Sequence, residues 1–298
     1  MTSTPSLSPP PPDGARLRRL AEGFSPWDLL DERELHAPGE GVLREMEVAA
    51  KVARTGRATF RLWRGDRALV VTRRETRLPR FPEARGRLEE EGWPVVVRDS
   101  GGTTVPHFPG ALQVSLFLPR RGTRGMGVED VYHLLCEPVR AALRALSLQT
   151  YYGEVPGSFC DGRFNLVSAG RKVAGTAQRW KGGVPGSRGE DGFVLGHMAL
   201  FVQGELAEGT EAVNRLLRLA GSREEFRVGA QTTVEAALAA NAEGQALLCT
   251  VPPPELLDRV RVEVADSFQR LTRSAGADSG WDAGSPGRAL LSDPPSPE

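Results

Sequence analysis

Short apolar runs typical of β-strands alternate with helical patterns from residue 20 to residue 273, and no long linker interrupts them. The strand-like runs are ATFRLWRG, RALVVTRR, WPVVVRDS, GALQVSLFLP, FNLVSAG and GHMALFVQGEL. The helix-like segments are GVLREMEVAAKVARTG, GVEDVYHLLCEPVRAALRAL, GTEAVNRLLRLAG, TTVEAALAAN and the stretch from Pro254 to about Leu271. Because strands and helices are intermixed throughout, the sequence predicts one α+β domain over residues 20–273, with a mixed β-sheet core flanked by helices.

The two ends of the 298-residue chain differ from this region in composition. They are rich in proline, serine, glycine and aspartate, and they offer too little apolar surface to offset the entropy lost on folding. We therefore predict a disordered N-terminal tail over residues 1–19 and a disordered C-terminal tail over residues 274–298.

Charge balance and hydropathy argue against several classes of partner. Lysine plus arginine and aspartate plus glutamate both number 38, so the net charge of zero leaves no basic footprint for DNA or RNA. No apolar stretch reaches the length of about 18 residues that a membrane span requires. The opening MTSTPSLSPPPPDG lacks the features of a secretory signal. We expect a cytoplasmic protein with neither a nucleic-acid partner nor a membrane partner.

The three cysteines differ in their local setting. They are widely spaced without a C-x-x-C pair, so each is expected to be a free thiol. Cys136 and Cys249 follow apolar runs, where a cysteine behaves as a small buried hydrophobe. Cys160 lies instead on a bend flanked by Gly157 and Gly162, and four cations follow it closely: Arg163, Arg171, Lys172 and Arg179. A reactive thiol needs partial exposure and nearby positive charge, so Cys160 is either a nucleophile or a free surface thiol.

A Gly-Gly turn follows the strand-like run WPVVVRDS. Gly101 and Gly102 would let the backbone approach a ligand closely, and Arg98 beside them could hold a carbonyl or a carboxylate group. The same dipeptide also occurs in ordinary turns, and His107 could equally form part of a wall. The residues alone leave both interpretations open.

Lys172 is one of three lysines in a chain that has 35 arginines. Arginine stays charged and binds planar anions, whereas a lysine ammonium can direct three donors at one oxygen and can lose its proton when buried. A lysine at this position therefore indicates a chemical demand that arginine would not meet.

The distance between Cys160 and Lys172 depends on the turn between them. If FNLVSAGRKVAGTAQ is a β-hairpin that turns at Ala169 and Gly170, Lys172 lies near the turn, and an extended chain would place Cys160 about 30 Å away. Contact between the two residues would then require the cysteine loop to fold back over the sheet. Gly157 and Gly162 could permit such a bend.

Five segments resemble the family that unites lipoate ligases, biotin ligases and octanoyltransferases: ATFRLWR, RETRLPRF, VVVRDSGGTTV, GALQVSLFLP and GSFCDGRFNLVSAGRKVAGTAQRW. The TRLP, RDSGG and GSFC blocks are most similar to the cysteine-dependent amidotransferases, which move octanoyl groups from glycine cleavage H protein onto lipoyl domains. The resemblance implies a catalytic domain of the lipoate and biotin protein ligase type. It also implies transfer of an octanoyl or lipoyl group from a lysine of H protein to a lysine of the lipoyl domains of 2-oxoacid dehydrogenases.

The same resemblance implies a role for each matching residue. Cys160 would carry the acyl group as a thioester, and Lys172, in a K-V-x-G-x-A pattern, would hold the acyl carbonyl. The implied substrate-binding residues are Arg77, Arg98, Ser100, Gly101, Gly102, Val105, His107, Gly175, Thr176 and Ala177. An apolar slot for the octanoyl chain would have walls from Trp63, Leu78, Val105, Val173 and Ala177. The resemblance implies no metal and no cofactor.

Three alternative functions stay open. The octanoyl donor could be an acyl carrier protein, or the chain could be an ATP-dependent lipoate-protein ligase. A third alternative is an inactive relative that only binds lipoyl domains, although such a protein would need neither Cys160 nor Lys172. The residue that acts as general base is also open. His107 and His197 are candidates, but His197 lies in GHMALFV, which is typical of the start of a buried strand.

Overall fold

Strands and helices follow one another along the chain in a computed structural model that describes residues 12–182 and 192–273. The helices are α1 (Gly14–Glu22), α2 (Glu40–Thr55), α3 (Phe81–Glu90), α4 (Val128–Ala145), α5 (Leu206–Ala220), α6 (Val234–Ala239), α7 (Ala242–Thr250) and α8 (Pro253–Thr272). The strands are β1 (Asp28–His36), β2 (Thr59–Gly65), β3 (Ala68–Thr72), β4 (Val95–Arg98), β5 (Val105–His107), β6 (Ala111–Pro119), β7 (Tyr151–Tyr152), β8 (Leu166–Ser168), β9 (Arg171–Lys181) and β10 (Phe193–Phe201). Short 3₁₀ turns cover 75–77, 120–122 and 228–230.

Two sheets organise these elements. The larger sheet has seven strands in the order β1-β2-β6-β10-β9-β8-β7, and the smaller sheet has three in the order β4-β3-β5. Strand β1 pairs with β2 and β3 pairs with β4 in parallel, whereas the other pairs are antiparallel. The prediction of an α+β fold with a mixed sheet and flanking helices is therefore confirmed.

Side chains of β6 alternate between two faces of the large sheet, as the period of two in a strand requires. Leu112, Val114 and Leu116 belong to the main core, which α1, α4 and α8 also build. On the opposite face, Gln113 lines a cavity and Phe117 packs against α2. The small sheet, α3 and α5 form a second core with Phe201 of β10. The cavity therefore lies between the large sheet and the layer formed by α2 and the small sheet.

Helix α1 corrects the predicted N-terminal tail, because residues 14–19 are helical. The Asp13 side chain accepts a hydrogen bond from the Ala15 amide, so it caps the helix. Leu17 and Ala21 are buried in the main core. Leu20 also packs against this core and Arg16 forms an ion pair with Asp130, and a composition average does not reveal these contacts. Residues 1–11 and the predicted tail over 274–298 lie outside the described residues.

Strand β1 and helices α3 and α7 are also absent from the sequence prediction. The charged run DLLDERELH conceals β1, because its polar groups are paired within the fold. Fully buried Arg61 donates hydrogen bonds to Glu32 at 3.0 and 2.6 Å and to the Gly41 carbonyl at 2.9 Å.

Cys136 is buried as predicted, but Cys249 is exposed on α7, so the prediction of a buried Cys249 is wrong. In the described parts of the chain, no helix has the length and apolarity to cross a membrane.

Candidate active site

Paired residues from four strands form the floor of the cavity. Trp63 of β2 pairs with Gln113 of β6, which pairs with Ala199 of β10, which pairs in turn with Gly175 of β9. All four residues line the cavity. Neighbouring strands lie about 4.8 Å apart, so this row spans about 14 Å across the sheet. The Lys172 side chain occupies the space over Gly175, so the part of the row left open to a ligand runs from Ala199 towards Trp63.

The cysteine loop folds back over β9, as the hairpin geometry requires. Strands β8 and β9 form the predicted hairpin, and its turn residues Ala169 and Gly170 have φ angles of 47° and 75°. Gly157 adopts a φ of 85°, a conformation that side chains rarely tolerate. The prediction for Gly162 is wrong, because the second left-handed residue of the bend is Cys160 itself, with a φ of 50°. The candidate nucleophile, Cys160, therefore has a backbone conformation that residues other than glycine rarely adopt.

Lys172 holds this loop against the sheet. Its ammonium donates hydrogen bonds to the carbonyl oxygens of Phe159 at 2.6 Å and Cys160 at 2.8 Å. The side chain is fully buried, and burial lowers the pKa of Lys172 to about 8. Gly175 makes room for it, since a Cβ atom there would stand 2.7 Å from both Cε and Nζ of Lys172. The Lys172 side chain thus occupies space that any side chain at Gly175 would need.

The Cys160 thiol lines the cavity beside two positive charges. Burial opposes ionisation of the thiol, but the charges of Arg98 and Lys172 outweigh it, so the pKa of Cys160 lies below its ordinary value. Arg98 Nη2 lies 3.5 Å from Sγ, and the Cys160 amide donates a hydrogen bond to Thr103 Oγ1 at 2.6 Å. Cys160 is only 7% exposed, so it is more buried than the sequence predicts, but its side chain lines the cavity.

Of the four cations that follow Cys160 in sequence, Lys172 lies beside it, whereas the three arginines lie elsewhere. Arg163 forms an ion pair with Glu129 at 3.4 Å, and Arg179 forms one with Asp99 at 2.6 Å. Arg171 is exposed at the start of β9. The guanidinium beside the sulfur belongs to Arg98, which lies 62 residues before Cys160 in the chain. Proximity in sequence therefore identified the wrong arginines.

The other residues proposed from the sequence occupy different parts of the site. Arg98, Val105, His107, Gly175, Thr176 and Ala177 line the cavity, as Cys160 and Lys172 do. Ser100 contacts His197, a cavity residue, and Gly102 lies against Cys160 Sγ and Arg98. Gly101 is exposed, with open space around its Cα atom. Arg77 is exposed in the 3₁₀ turn 75–77 and does not line the cavity. Burial lowers the pKa of His107 to about 3, so this imidazole is neutral at physiological pH.

The expected walls of the apolar slot are partly in place. Trp63, Val105 and Ala177 line the cavity. Val173 instead belongs to the main core on the opposite face of the sheet, and Leu78 packs against the core of the small sheet, so these two expectations are wrong. Successive strand residues point to opposite faces, and the bulge between β8 and β9 shifts that alternation near Val173.

Glu45 and Thr103 were not identified from the sequence. Glu45 lies on α2, is 4% exposed, and faces His197 across the cavity wall. In the sequence Glu45 interrupts an otherwise ordinary amphipathic helix, and a carboxylate on its buried side is the signal that could have identified it. Thr103 follows the two glycines, and nothing in its local sequence indicates a contact with residue 160.

Replacement of Lys172 by methionine is expected to raise the pKa of the Cys160 thiol, because it removes one of the two positive charges beside the sulfur. Alkylation by iodoacetamide depends on the thiolate, so the variant should react more slowly at neutral pH. The difference should narrow above pH about 8, where the wild-type lysine itself loses its proton. The measurement is the rate of alkylation at Cys160 from pH 5 to 10.

Lys181→Met provides the matched control for Lys172→Met, because Lys181 is exposed at the other end of β9. This variant should keep the wild-type alkylation profile. Identical profiles for Lys172→Met and the wild-type protein, with melting temperatures showing both are folded, would contradict the electrostatic role of Lys172.

Comparisons with known proteins show the family of this chain. Residues 43–230 match the lipoyl protein ligase A/B catalytic domain family. A protein of Kyrpidia tusciae named octanoyl-[GcvH]:protein N-octanoyltransferase is 41% identical over 210 residues, which are 70% of this chain and 72% of that protein.

Two solved structures show a similar fold. A lipoate-protein ligase A bound with ATP has a TM-score of 0.52 at 15% identity, over 83% of this chain and 96% of that chain. A bipartite lipoate protein ligase from Thermoplasma acidophilum, described with its E2 lipoyl domain, has a TM-score of 0.51 at 18% identity, over 82% and 84% of the two chains. The predicted ligase-type fold is thereby confirmed. The chain belongs to the lipoyl protein ligase A/B catalytic domain family.

Proposed function

We propose that this protein is an acyltransferase that moves an octanoyl group from the octanoyl-lysine of glycine cleavage H protein to the lysine of a lipoyl domain, through a thioester on Cys160. The observation that carries the proposal is the Cys160 thiol, which lines a mostly apolar cavity and whose pKa is lowered by Arg98 and Lys172 despite burial. A thiolate in such a position is an activated nucleophile. The Kyrpidia tusciae relative supports the identity of the donor by its name.

The groove has dimensions that suit an octanoyl chain. An extended chain of eight carbons is about 9 Å long, because its seven bonds of about 1.5 Å follow a zigzag. The floor from Ala199 to Trp63 crosses two strand spacings, about 10 Å, and is therefore long enough for it. Seven methylene and methyl groups at about 0.8 kcal/mol each give about 5 kcal/mol of binding free energy, before other terms. The acyl chain lies over Ala199 with its carbonyl at Cys160.

The first half-reaction forms the thioester. The Cys160 thiolate attacks the octanoyl carbonyl, and the carbonyl oxygen becomes an oxyanion. Phe159 and Cys160 carbonyls take two of the three ammonium donors of Lys172, and we assign the third to this oxyanion. Backbone N–H groups near Gly101 and Gly102 supply further donors. The carbon–nitrogen bond of the donor then breaks, and the lysine of H protein leaves as an amine.

The second half-reaction transfers the group to the acceptor. The acceptor lysine of a lipoyl domain attacks the thioester, a new amide forms, and the Cys160 thiolate leaves beside Arg98. One lysine amide replaces another, so the free energy change is close to zero and ATP is not consumed. The partners are therefore lipoyl-carrier domains, those of 2-oxoacid dehydrogenases among them, together with H protein.

Feeding the possible donors separately tests this function. Octanoylated H protein, octanoyl-acyl carrier protein, and octanoic acid with ATP are each incubated with the enzyme and an apo lipoyl domain. Octanoylation of the lipoyl domain is expected with octanoylated H protein in the absence of ATP. Intact mass after acid quenching should show a fraction of enzyme heavier by about 126 Da, and this mass should be lost on treatment with hydroxylamine, as for a thioester.

The same experiment separates the alternatives. Transfer from the acyl carrier protein alone would replace the proposed donor. A strict requirement for ATP would indicate a ligase and would contradict the thioester route. Peptide mapping of the heavier species should place the octanoyl group on Cys160.

A further inference from the structure

A buried carboxylate and a histidine face each other in the wall of the acyl cavity. His197 of β10 lies with Nδ1 3.4 Å from Glu45 Oε2 and with Nε2 2.8 Å from Ser100 Oγ. Both Glu45 and His197 line the cavity. A groove that binds only a hydrocarbon chain has no need of either group, and burying them costs free energy unless they are paired.

Glu45 is kept ionised in spite of its burial. Burial by itself would raise the pKa of Glu45, but the facing His197 and a hydrogen bond from Ser115 Oγ at 2.6 Å hold it below the ordinary value. Ser115 is fixed in turn, because Trp63 Nε1 donates to its hydroxyl at 3.1 Å. The carboxylate is thus oriented towards the imidazole by the sheet and by α2.

Arg98 connects this pair to the nucleophile. Its Nη1 atom lies 3.5 Å from His197 Nε2, and its Nη2 atom lies 3.5 Å from Cys160 Sγ. The Arg98 guanidinium therefore lies between the imidazole and the sulfur, and all three groups line the same cavity. An acyl carbon bonded to Sγ lies in that cavity, so its nitrogen substituent shares the cavity with the imidazole.

Building on the proposed function, we propose that His197 is the catalytic residue that carries the proton of the amine in both half-reactions, and that Glu45 is the residue that positions it. In the first half-reaction, the carbon–nitrogen bond of the donor amide breaks as protonated Nε2 gives its proton to the departing nitrogen. The products are the Cys160 thioester, a neutral amine and a neutral imidazole.

The second half-reaction returns the proton. A neutral acceptor amine attacks the thioester carbon, Nε2 takes one proton from its nitrogen, and the carbon–sulfur bond breaks to release the thiolate. The imidazole is again protonated beside Glu45, so protons and charges balance over the cycle. Ser100 can accept a hydrogen bond from Nε2–H or donate one to Nε2, so it fits both states of the ring.

Lys172 and His107 are less suited to carry this proton. Lys172 directs its ammonium at the Phe159 and Cys160 carbonyls. His107 lines the same cavity as Arg98, Glu45 and His197, and its burial keeps the imidazole uncharged. It therefore has no proton to give to a departing amine at physiological pH.

Donors with different leaving groups test the proposal. An amide donor needs protonation of its nitrogen, whereas 4-nitrophenyl octanoate releases a stable anion and acylates a thiolate without an acid. His197→Gln should lose about 10²–10⁴-fold in transfer from octanoylated H protein, the range of general acid–base catalysis. Its acylation by 4-nitrophenyl octanoate, followed by release of nitrophenolate, should stay close to the wild-type rate.

Two further variants complete the design. Glu45→Gln keeps an oxygen for Nδ1–H but removes the charge, so we expect the same selectivity for the ester with a smaller loss on the amide. Glu45→Gln also tests the proton role if His197→Gln is poorly folded. His133→Gln is the matched control, because His133 packs against Tyr152 and Phe164 away from the cavity and should leave both reactions unchanged.

The outcomes distinguish this inference from the proposed function. Wild-type rates for His197→Gln and Glu45→Gln with the amide donor would overturn the proton role, and so would equal losses on the amide and on the ester. If the wild-type enzyme accepts the ester but transfers from no amide donor, the proposed function fails and the proton role with it.

Discussion

Cys160→Ala is expected to abolish octanoyl transfer and the thioester, with a loss of about 10⁴-fold or more, because the acyl group would have no atom to bond to. Cys160→Ser should be nearly as inactive. Arg98 and Lys172 stabilise a thiolate at this position, but a serine hydroxyl ionises far less readily than a thiol. The measurement is the rate of octanoylation of a lipoyl domain by each variant.

Cys249→Ser is the matched control, because Cys249 is an exposed cysteine on α7 and does not line the cavity. It should retain the wild-type rate. Substantial transfer by a folded Cys160→Ala protein would show that the acyl group passes directly between the two lysines. The family-level fold would stand in that case, whereas the covalent mechanism would not.

Much of the fold follows from the local sequence pattern. The run ALQVSLFLP predicts β6 because a strand buried on both faces is a nearly continuous apolar run, and α4 is predicted by apolar residues at helical spacing. Strand β1 was missed since its partners lie elsewhere: Arg61 pairs with Glu32 and Arg261 pairs with Asp31. Charged residues that are neutralised by distant residues look like a solvated surface in the sequence alone.

The candidate site shows a similar division. The sequence predicts how Cys160 and Lys172 come into contact. With the hairpin turn at Ala169 and Gly170, the two residues can meet if the cysteine loop folds back over the sheet. The contacts that complete the site join residues far apart in the chain. Arg98 and Cys160 are separated by 62 residues, and Glu45 and His197 by 152. No local spacing encodes such contacts, so they depend on the assembled sheets.

The backbone of the bend is a further case in which local reasoning was incomplete. Glycine is the residue that tolerates a left-handed conformation, so Gly157 and Gly162 were the natural candidates. The structure instead places Cys160 in that conformation and leaves Gly162 outside it. Lys172 holds the Cys160 carbonyl, and Thr103 accepts a hydrogen bond from its amide. These hydrogen bonds therefore offset the free energy cost of a left-handed backbone conformation at a residue other than glycine.

Gly102→Ala is expected to reduce octanoyl transfer by about 100-fold or more. Gly102 has a φ of 107°, and a Cβ atom there would overlap Cys160 Sγ and stand 2.9 Å from Arg98 Nη2. The methyl group would push the sulfur away from the guanidinium, and a displacement of about 1 Å of a reacting group can cost about 10²-fold in rate. Transfer rate and the rate of Cys160 alkylation should both fall.

Gly162→Ala is the matched control, since Gly162 also lies close to Cys160 in sequence but has no heavy atom within 4 Å of its Cβ position. Its rates should remain near those of the wild-type protein. Melting temperatures separate strain from displacement, because a left-handed alanine costs about 1–2 kcal/mol wherever it occurs. If Gly102→Ala is folded and its thiol reacts at the wild-type rate, the glycine does not reserve space for the sulfur. The contact between Arg98 and Cys160 would then lose its role in activating the thiol.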